Sequence, residues 1–139
     1  MKVFTLDNSI VDWRPHLQKQ NEERDVSDNH LRCRDLLKEL FPTSIILEEI
    51  NIPLLKKEWA FLDFYIPQSK IAIEVHGSQH YEFSLQFHKD IRDLNKQKAK
   101  DRRKKTWCEL NQINLIELPY NETVEQWKKL IPHKVVLKR

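Results

Sequence analysis

Residues 62–80, written LDFYIPQSKIAIEVHGSQH, constrain this chain more than any other stretch. Two apolar segments flank a proline-containing turn, the pattern of a β-hairpin. If Ile66 pairs with Ile71 across Pro67, Gln68, Ser69 and Lys70, then Tyr65 faces Ala72, Phe64 faces Ile73, and Asp63 faces Glu74. One symmetric register therefore sets two carboxylates side by side. Like charges directly opposed across a hairpin destabilise it. At ~5 Å their repulsion is roughly 0.8 kcal/mol in water and about 3 kcal/mol at an effective dielectric of 20. A chain tolerates that arrangement if a cation sits between them.

Strand side chains alternate between faces. This register sends Leu62, Phe64, Ile66, Ile71, Ile73 and Val75 to one face, which reads as core. The other face carries Phe61, Asp63, Tyr65, Ala72, Glu74 and His76: two carboxylates and an imidazole set among apolar neighbours. The single glycine of the chain, Gly77, ends the second strand and frees the backbone for a sharp change of direction. The alternative is a half-buried hairpin whose acids serve only solubility.

At 139 residues, 40% hydrophobic and 32% charged, the chain fits one soluble globular domain. No apolar run approaches the ~20 residues that span a bilayer, and the N-terminus lacks the long apolar centre of a signal peptide. Cys33 and Cys108 both fall in predicted helices and read as reduced core thiols, which points to the cytoplasm. The net charge is only +3, but residues 96–105, KQKAKDRRKK, hold seven cations and one acid. Such a run is either a solvated helix face or a ridge that binds phosphate.

Residues 1–26 read as an N-terminal extension packed on the core, with a short strand at 3–6 and an anchor at 10–13. Residues 27–139 form a single domain. Ser27 is the N-cap of a helix reaching Phe41, with Cys33, Leu36, Leu37, Leu40 and Phe41 at helical spacing and Pro42 stopping it. A strand over 45–52 is followed by Pro53 and a polar link, then by the hairpin. A long charged helix covers much of 85–111, Asn114 to Leu118 is a strand ended by Pro119, and Thr123 caps a last helix. The tail VVLKR adds a short strand or simply packs. The predicted class is α/β, with a mixed sheet flanked by helices.

Asp63, ten intervening residues and then Glu74-Val75-His76 resemble the pattern of the PD-(D/E)XK nuclease superfamily. There, an Asp opens one strand of a hairpin and Glu-x-Lys ends the other. The run IEVHGSQHY is similar to the Vsr-like branch, and residues 101–120, DRRKKTWCELNQINLIELPY, are similar to the tail of phage and bacterial proteins of that branch. The resemblance covers roughly residues 27–131. It implies a restriction-endonuclease-like core, a bacterial or phage-infected host cell, and hydrolysis of DNA with Mg²⁺ or Mn²⁺. It also implies the Val75 carbonyl as an extra metal ligand. The chain departs from the pattern at two places. His76 stands where relatives have lysine, and no glutamate occupies the early first helix, where His30 lies instead and Glu39 comes only near the end. Lys104, one turn after Asp101, is a candidate migrated lysine.

The chemistry of the residues agrees. Mg²⁺ prefers oxygen ligands, commonly one or two carboxylates with phosphate and water, and Asp63 and Glu74 supply them. His76, on the same face, suits orientation or deprotonation of the attacking water. His80 is a second acid–base group or phosphate contact, or a loop histidine bonded to backbone. His30 and, more remotely, His88 are further candidates, and Asp101 with Lys104 is either a helical ion pair or part of the site. Lys96, Lys98, Lys100, Arg102, Arg103, Lys104 and Lys105 are the candidate DNA-binding residues. His76 and His80 are the sole pair suggesting zinc, and the usual second pair is missing. With one glycine, no glycine-rich phosphate loop can form.

The leading expectation is thus a metal-dependent endonuclease acting on duplex or branched DNA. A catalytically inactive nucleic-acid-binding module on the same fold is the alternative. A protein-interaction domain using Trp13, Trp59, Trp107 and Trp127 is a third reading. Cutting both strands would take a homodimer or two independent nicks.

Overall fold

A computed structural model describes residues 1–20, 26–77 and 91–132 of the chain. The Ser27 hydroxyl accepts a hydrogen bond from the His30 backbone N–H at 3.1 Å and opens helix α1, Asp28–Leu40. β3 (Leu47–Leu55), β4 (Glu58–Ile66) and β5 (Ile71–His76) follow as an antiparallel meander. Helix α2 (Ile91–Leu110) then crosses over to β6 (Asn114–Pro119), which joins β5 in parallel. Helix α3 (Val124–Leu130) closes the order, held at its start by a Thr123–Gln126 capping box. The four-stranded sheet has the order β3-β4-β5-β6, so the protein is α/β with a mixed sheet flanked by helices. No helix among the described residues is long and apolar enough to cross a membrane.

The hairpin adopts the expected register: Phe64 pairs with Ile73, Tyr65 with Ala72 and Ile66 with Ile71. Ser69 and Lys70 donate back to Ile66 and Pro67, and Lys70 takes φ 54° to re-enter the strand. At the far end of α2, Ile113 N–H bonds the Cys108 carbonyl at 2.8 Å around Gln112, whose φ is 58°. This Schellman-type turn aims the chain into β6.

Two expectations need correction. The strand expected over 45–52 runs on through Pro53 to Leu55, leaving only Lys56 and Lys57 as a turn. Pro53 is tolerated because β3 is an edge strand, where an outward N–H has no ladder partner to lose. Leu62 does not share a core with Phe64 and Ile66. It packs with Ile50, Ile52 and Ala60 in the same cluster as Tyr65, Ala72 and Trp107. Alternation changes phase beside Glu49, which falls opposite Asp63 in the register and takes φ 50°, a left-handed conformation that costs about 1–2 kcal/mol. The second hairpin face is covered, since Tyr65, Ala72, Glu74 and His76 are all buried, which removes the alternative of a solvated polar face. The helix expected over 85–111 is described from Ile91 onward, and residues 85–90 and the tail VVLKR lie outside the described residues.

Two cores flank the sheet. On one side α1 and α3 pack Cys33, Leu37 and Trp127 against Phe64, Ile66, Ile73 and Leu118. On the other, α2 brings Trp107 and Cys108 against Tyr65 and Ala72. The N-terminal ribbon, β1 (Lys2–Phe4) with β2 (Ile10–Asp12), joins this second core. Trp13 lies 5.1 Å from the Tyr65 ring and meets Trp107 edge-on at 5.3 Å. The same segment covers the free edge of β3. The Gln18 side-chain amide bonds both the N–H and the carbonyl of Asn51, and Gln20 does the same for Glu48. Exposed strand edges invite pairing with other chains, and two glutamines here satisfy that edge internally.

Candidate functional site

The ladder between β4 and β5 ends where the two acids meet. Beyond Phe64 and Ile73, backbone groups of the two strands bond to side chains rather than to each other. The Asp63 N–H donates to Glu74 Oε2 at 2.8 Å, and the Val75 N–H donates to Asp63 Oδ2 at 2.7 Å. Each carboxylate thus caps the opposite strand. At this point the two strands are linked through the acids rather than through ladder bonds.

The cation demanded by the opposed charges is Lys104. Its Nζ lies 2.7 Å from Glu74 Oε1, with side chains 13% and 5% exposed. It comes from the middle of α2, one turn before Trp107 and Cys108, whose burial presses that face of the helix onto the sheet. One ammonium cannot balance two carboxylates. Burial and then the Glu74 charge push the Asp63 carboxyl well above the ordinary range, against the opposing pull of the Val75 N–H and Lys104. Asp63 Oδ1 receives no hydrogen bond among the described residues. With both carboxylates ionised, one lysine leaves this site one negative charge in excess, which is the charge that raises Asp63, and the site is built of the oxygen donors that a divalent cation prefers. Among the described residues no three His, Cys, Asp or Glu side chains converge, so a cation here would lean on Asp63, Glu74, backbone carbonyl oxygen and water.

His76 is buried at the end of β5, and its Nε2 lies 3.4 Å from Glu117 Oε2 on β6. Glu117 stands beside Glu74 in the parallel register. Glu117 was not legible in the sequence: period-two spacing puts it on the face of Leu115, but the strand order that sets it beside Glu74 follows no local pattern. Val75 contributes its N–H to Asp63, as above. His80, like His88, lies outside the described residues.

His30 is not brought to the Asp63–Glu74 pair. It is buried on the α1 face, stacked on Phe64 at 4.4 Å, with Nε2 2.8 Å from Glu48 Oε1. Arg34 grips the same carboxylate with two 2.8 Å bonds. Burial would raise the Glu48 carboxyl, but His30 and Arg34 outweigh it and hold it at about 2. Glu39, the late helical glutamate, pairs with Lys128 at 2.9 Å and only ties α1 to α3.

The basic run divides. Lys104 turns inward, so it is not part of a phosphate ridge. Arg103 is ion-paired with Glu58 at the β3–β4 turn. Lys96, Lys98, Lys100, Arg102 and Lys105 make no ion pair among the described residues; Lys96, Lys98, Lys100, Arg102 and Lys105 are all exposed. The two thiols are both buried, and burial raises both; Cys108 reaches about 12, with Glu74 adding to the effect. Buried thiols raised in this way have the environment of structural cysteines.

No protein-family model matches the chain, and no solved structure matches it. Its similarity is to viral proteins. It is 39% identical over 59 residues to uncharacterized protein 307L of Invertebrate iridescent virus 6, covering 42% of this chain and 30% of that protein. It is 48% identical over 60 residues to uncharacterized protein 094L of Frog virus 3, covering 42% of this chain and 39% of that protein. Uncharacterized protein 033L of Invertebrate iridescent virus 3 is 29% identical over 105 residues, 68% of this chain and 50% of that protein. The chain therefore spans half or less of the length of these relatives.

Proposed function

We propose that this protein is a divalent-metal-dependent endonuclease of PD-(D/E)XK type that hydrolyses phosphodiester bonds in DNA. The observation that carries the reading is the buried Asp63–Glu74 pair with Lys104 Nζ 2.7 Å from Glu74. The resemblance asks for an Asp, a Glu and a lysine at one end of a hairpin, and all three meet here, the lysine arriving from α2 in place of the strand position held by His76.

Mg²⁺ or Mn²⁺, when bound, supplies Lewis-acid polarisation of the scissile phosphate. Asp63 and Glu74 would hold it, with the Val75 carbonyl as the ligand the resemblance adds. Lys104 orients the attacking water and offsets charge that develops on the phosphoryl oxygens. His76, held against Glu117, is the nearest imidazole on β5 to carry a proton. Exposed cations of α2 hold the DNA backbone.

The test is supercoiled plasmid incubated with pure protein in Mg²⁺, Mn²⁺ or EDTA, beside Asp63→Ala, Glu74→Ala and Lys104→Ala. Metal-dependent nicking that the three substitutions abolish supports the reading. Nicking retained in the Asp63 and Glu74 variants removes the site assignment. Tight DNA binding without nicking, on plasmid and branched DNA alike, makes the protein a binding module instead.

A further inference from the structure

Trp13, Trp107 and Trp127 are fully buried, but Trp59 is 47% exposed, and Phe61, two residues along the same strand, is 55% exposed. Large aromatics are normally the first side chains a small domain buries, and this chain has only modest apolar content from which to build two cores. Their place is specific. β4 pairs with β5 only from Phe64 to Ile66, so Trp59 and Phe61 sit on the part of the β3–β4 ribbon that outruns β5. They lead along β4 directly to Asp63.

Beside Trp59 lies the first half of α2. Trp59 lines one concavity with Leu54, Lys96, Ala99, Lys100 and Arg103, and the neighbouring one adds Arg102. Arg103 is engaged by Glu58. Lys96, Lys100 and Arg102 make no ion pair among the described residues. The Trp59 ring, flanked by cations on the strand that carries Asp63, combines a π-face with charge complementary to phosphate.

Duplex DNA presents phosphates and base edges, while its base faces are hidden in the stack. Exposed aromatic faces suit bases that have left the stack. The spacing argues the same way. Two residues along a strand rise about 6.6 Å, roughly twice the 3.4 Å step of a stacked strand, so the two rings suit bases separated from each other. We infer that Trp59 and Phe61 form a stacking platform for unpaired nucleotides, so that the preferred substrate is a single-stranded or branched segment led along β4 to Asp63. The inference rests on the nuclease reading for the identity of the polymer, but the binding it describes needs no hydrolysis.

The test uses the full chain in EDTA. A short labelled oligo-dT and a hairpin duplex of matched charge are titrated by fluorescence anisotropy at one salt concentration. Wild type, Trp59→Ala, Phe61→Ala and Trp59→Phe are compared, with thermal melts confirming that each variant folds. The single strand should bind wild type at least about fivefold more tightly than the duplex. Each alanine variant should lose about fivefold or more on the single strand, the lower end expected for one stacked base, with less than twofold change on the duplex. Trp59→Phe should retain most of the affinity, and oligo-dT should quench the emission of Trp59. Equal losses on both DNAs, or no loss on the single strand, would overturn the platform. A surface that docks another protein would show no single-strand preference and no quenching, and also overturns it. If the platform behaves as described but wild type never nicks in Mg²⁺ or Mn²⁺, the nuclease reading fails alone. If wild type nicks and the aromatic variants bind normally, the platform fails alone.

Discussion

Lys104 Nζ lies 2.7 Å from Glu74 Oε1, a contact between two side chains almost withdrawn from solvent. A strand glutamate and a helix lysine 30 residues away form the charge pair that makes an opposed-acid hairpin stable. Truncating one partner of a buried pair leaves the other uncompensated, typically at a cost of about 3 kcal/mol. Lys104→Met should therefore lower stability by about that amount in urea titrations and reduce nicking by about 100-fold or more. An unchanged urea midpoint would contradict the pairing.

Asp63→Asn should act in the opposite direction on stability. The Asp63 carboxyl is raised to about 8 by burial and by Glu74. A raised folded value means that the native state holds its proton more tightly than the unfolded chain, whose aspartate titrates near about 3.9. The contribution to stability is therefore complete below that pH and is lost as pH rises through the folded value. In EDTA the wild type should lose stability between those limits. The asparagine variant should not, and at neutral pH it should melt about 3 °C higher while losing all nicking. Scanning calorimetry across pH with both proteins checks the sign.

Glu48 titrates with the reverse sense. His30 and Arg34 hold its carboxyl at about 2, below the unfolded value. Its contribution is present at neutral pH and disappears as pH falls through the folded value. Solvent reaches this cluster, so about 1–2 kcal/mol is expected rather than the full shift. Glu48→Gln should lose that amount at pH 7 and show a shallower acid-unfolding curve in circular dichroism.

The exposed cations of α2 should be unequal. Lys96→Ala and Lys100→Ala should each reduce the slope of log affinity against log salt by about 1. Arg103→Ala should change it less, because Glu58 already neutralises that guanidinium. DNA titrations over a range of salt measure all three slopes.

Trp13 shows how far the N-terminal segment belongs to the fold. Its ring packs against Tyr65 and Trp107, and its Nε1–H donates to the Asn51 carbonyl at 2.8 Å. Trp13→Ala should cost about 3–5 kcal/mol, read from the denaturation midpoint.

The hairpin register was legible because it depends on local facts. Ile66 and Ile71 flank a short turn, and period-two alternation carries the pairing back to Asp63 and Glu74. The Ser27 and Thr123 caps were legible for the same reason, since a hydroxyl just before a helix meets its own backbone. Leu62 was misplaced because alternation assumes an unbroken pleat, and Glu49 on the neighbouring strand changes its phase. Glu48 and Glu117 were missed because each acquires its partner, His30 or His76, only when another element packs beside it.

The chain's own residues thus determined the mixed α/β order and the proximity of two acids, since both follow from periodicity and short turns. Only the tertiary structure decided which cation answers those acids. His76 and Lys104 were both eligible from the sequence. His76 was drawn to Glu117 when β6 aligned with β5, and Lys104 reached Glu74 when burial of Trp107 and Cys108 set the rotation of α2. Contacts across such sequence distances are fixed by the packing of whole elements, which no local pattern encodes.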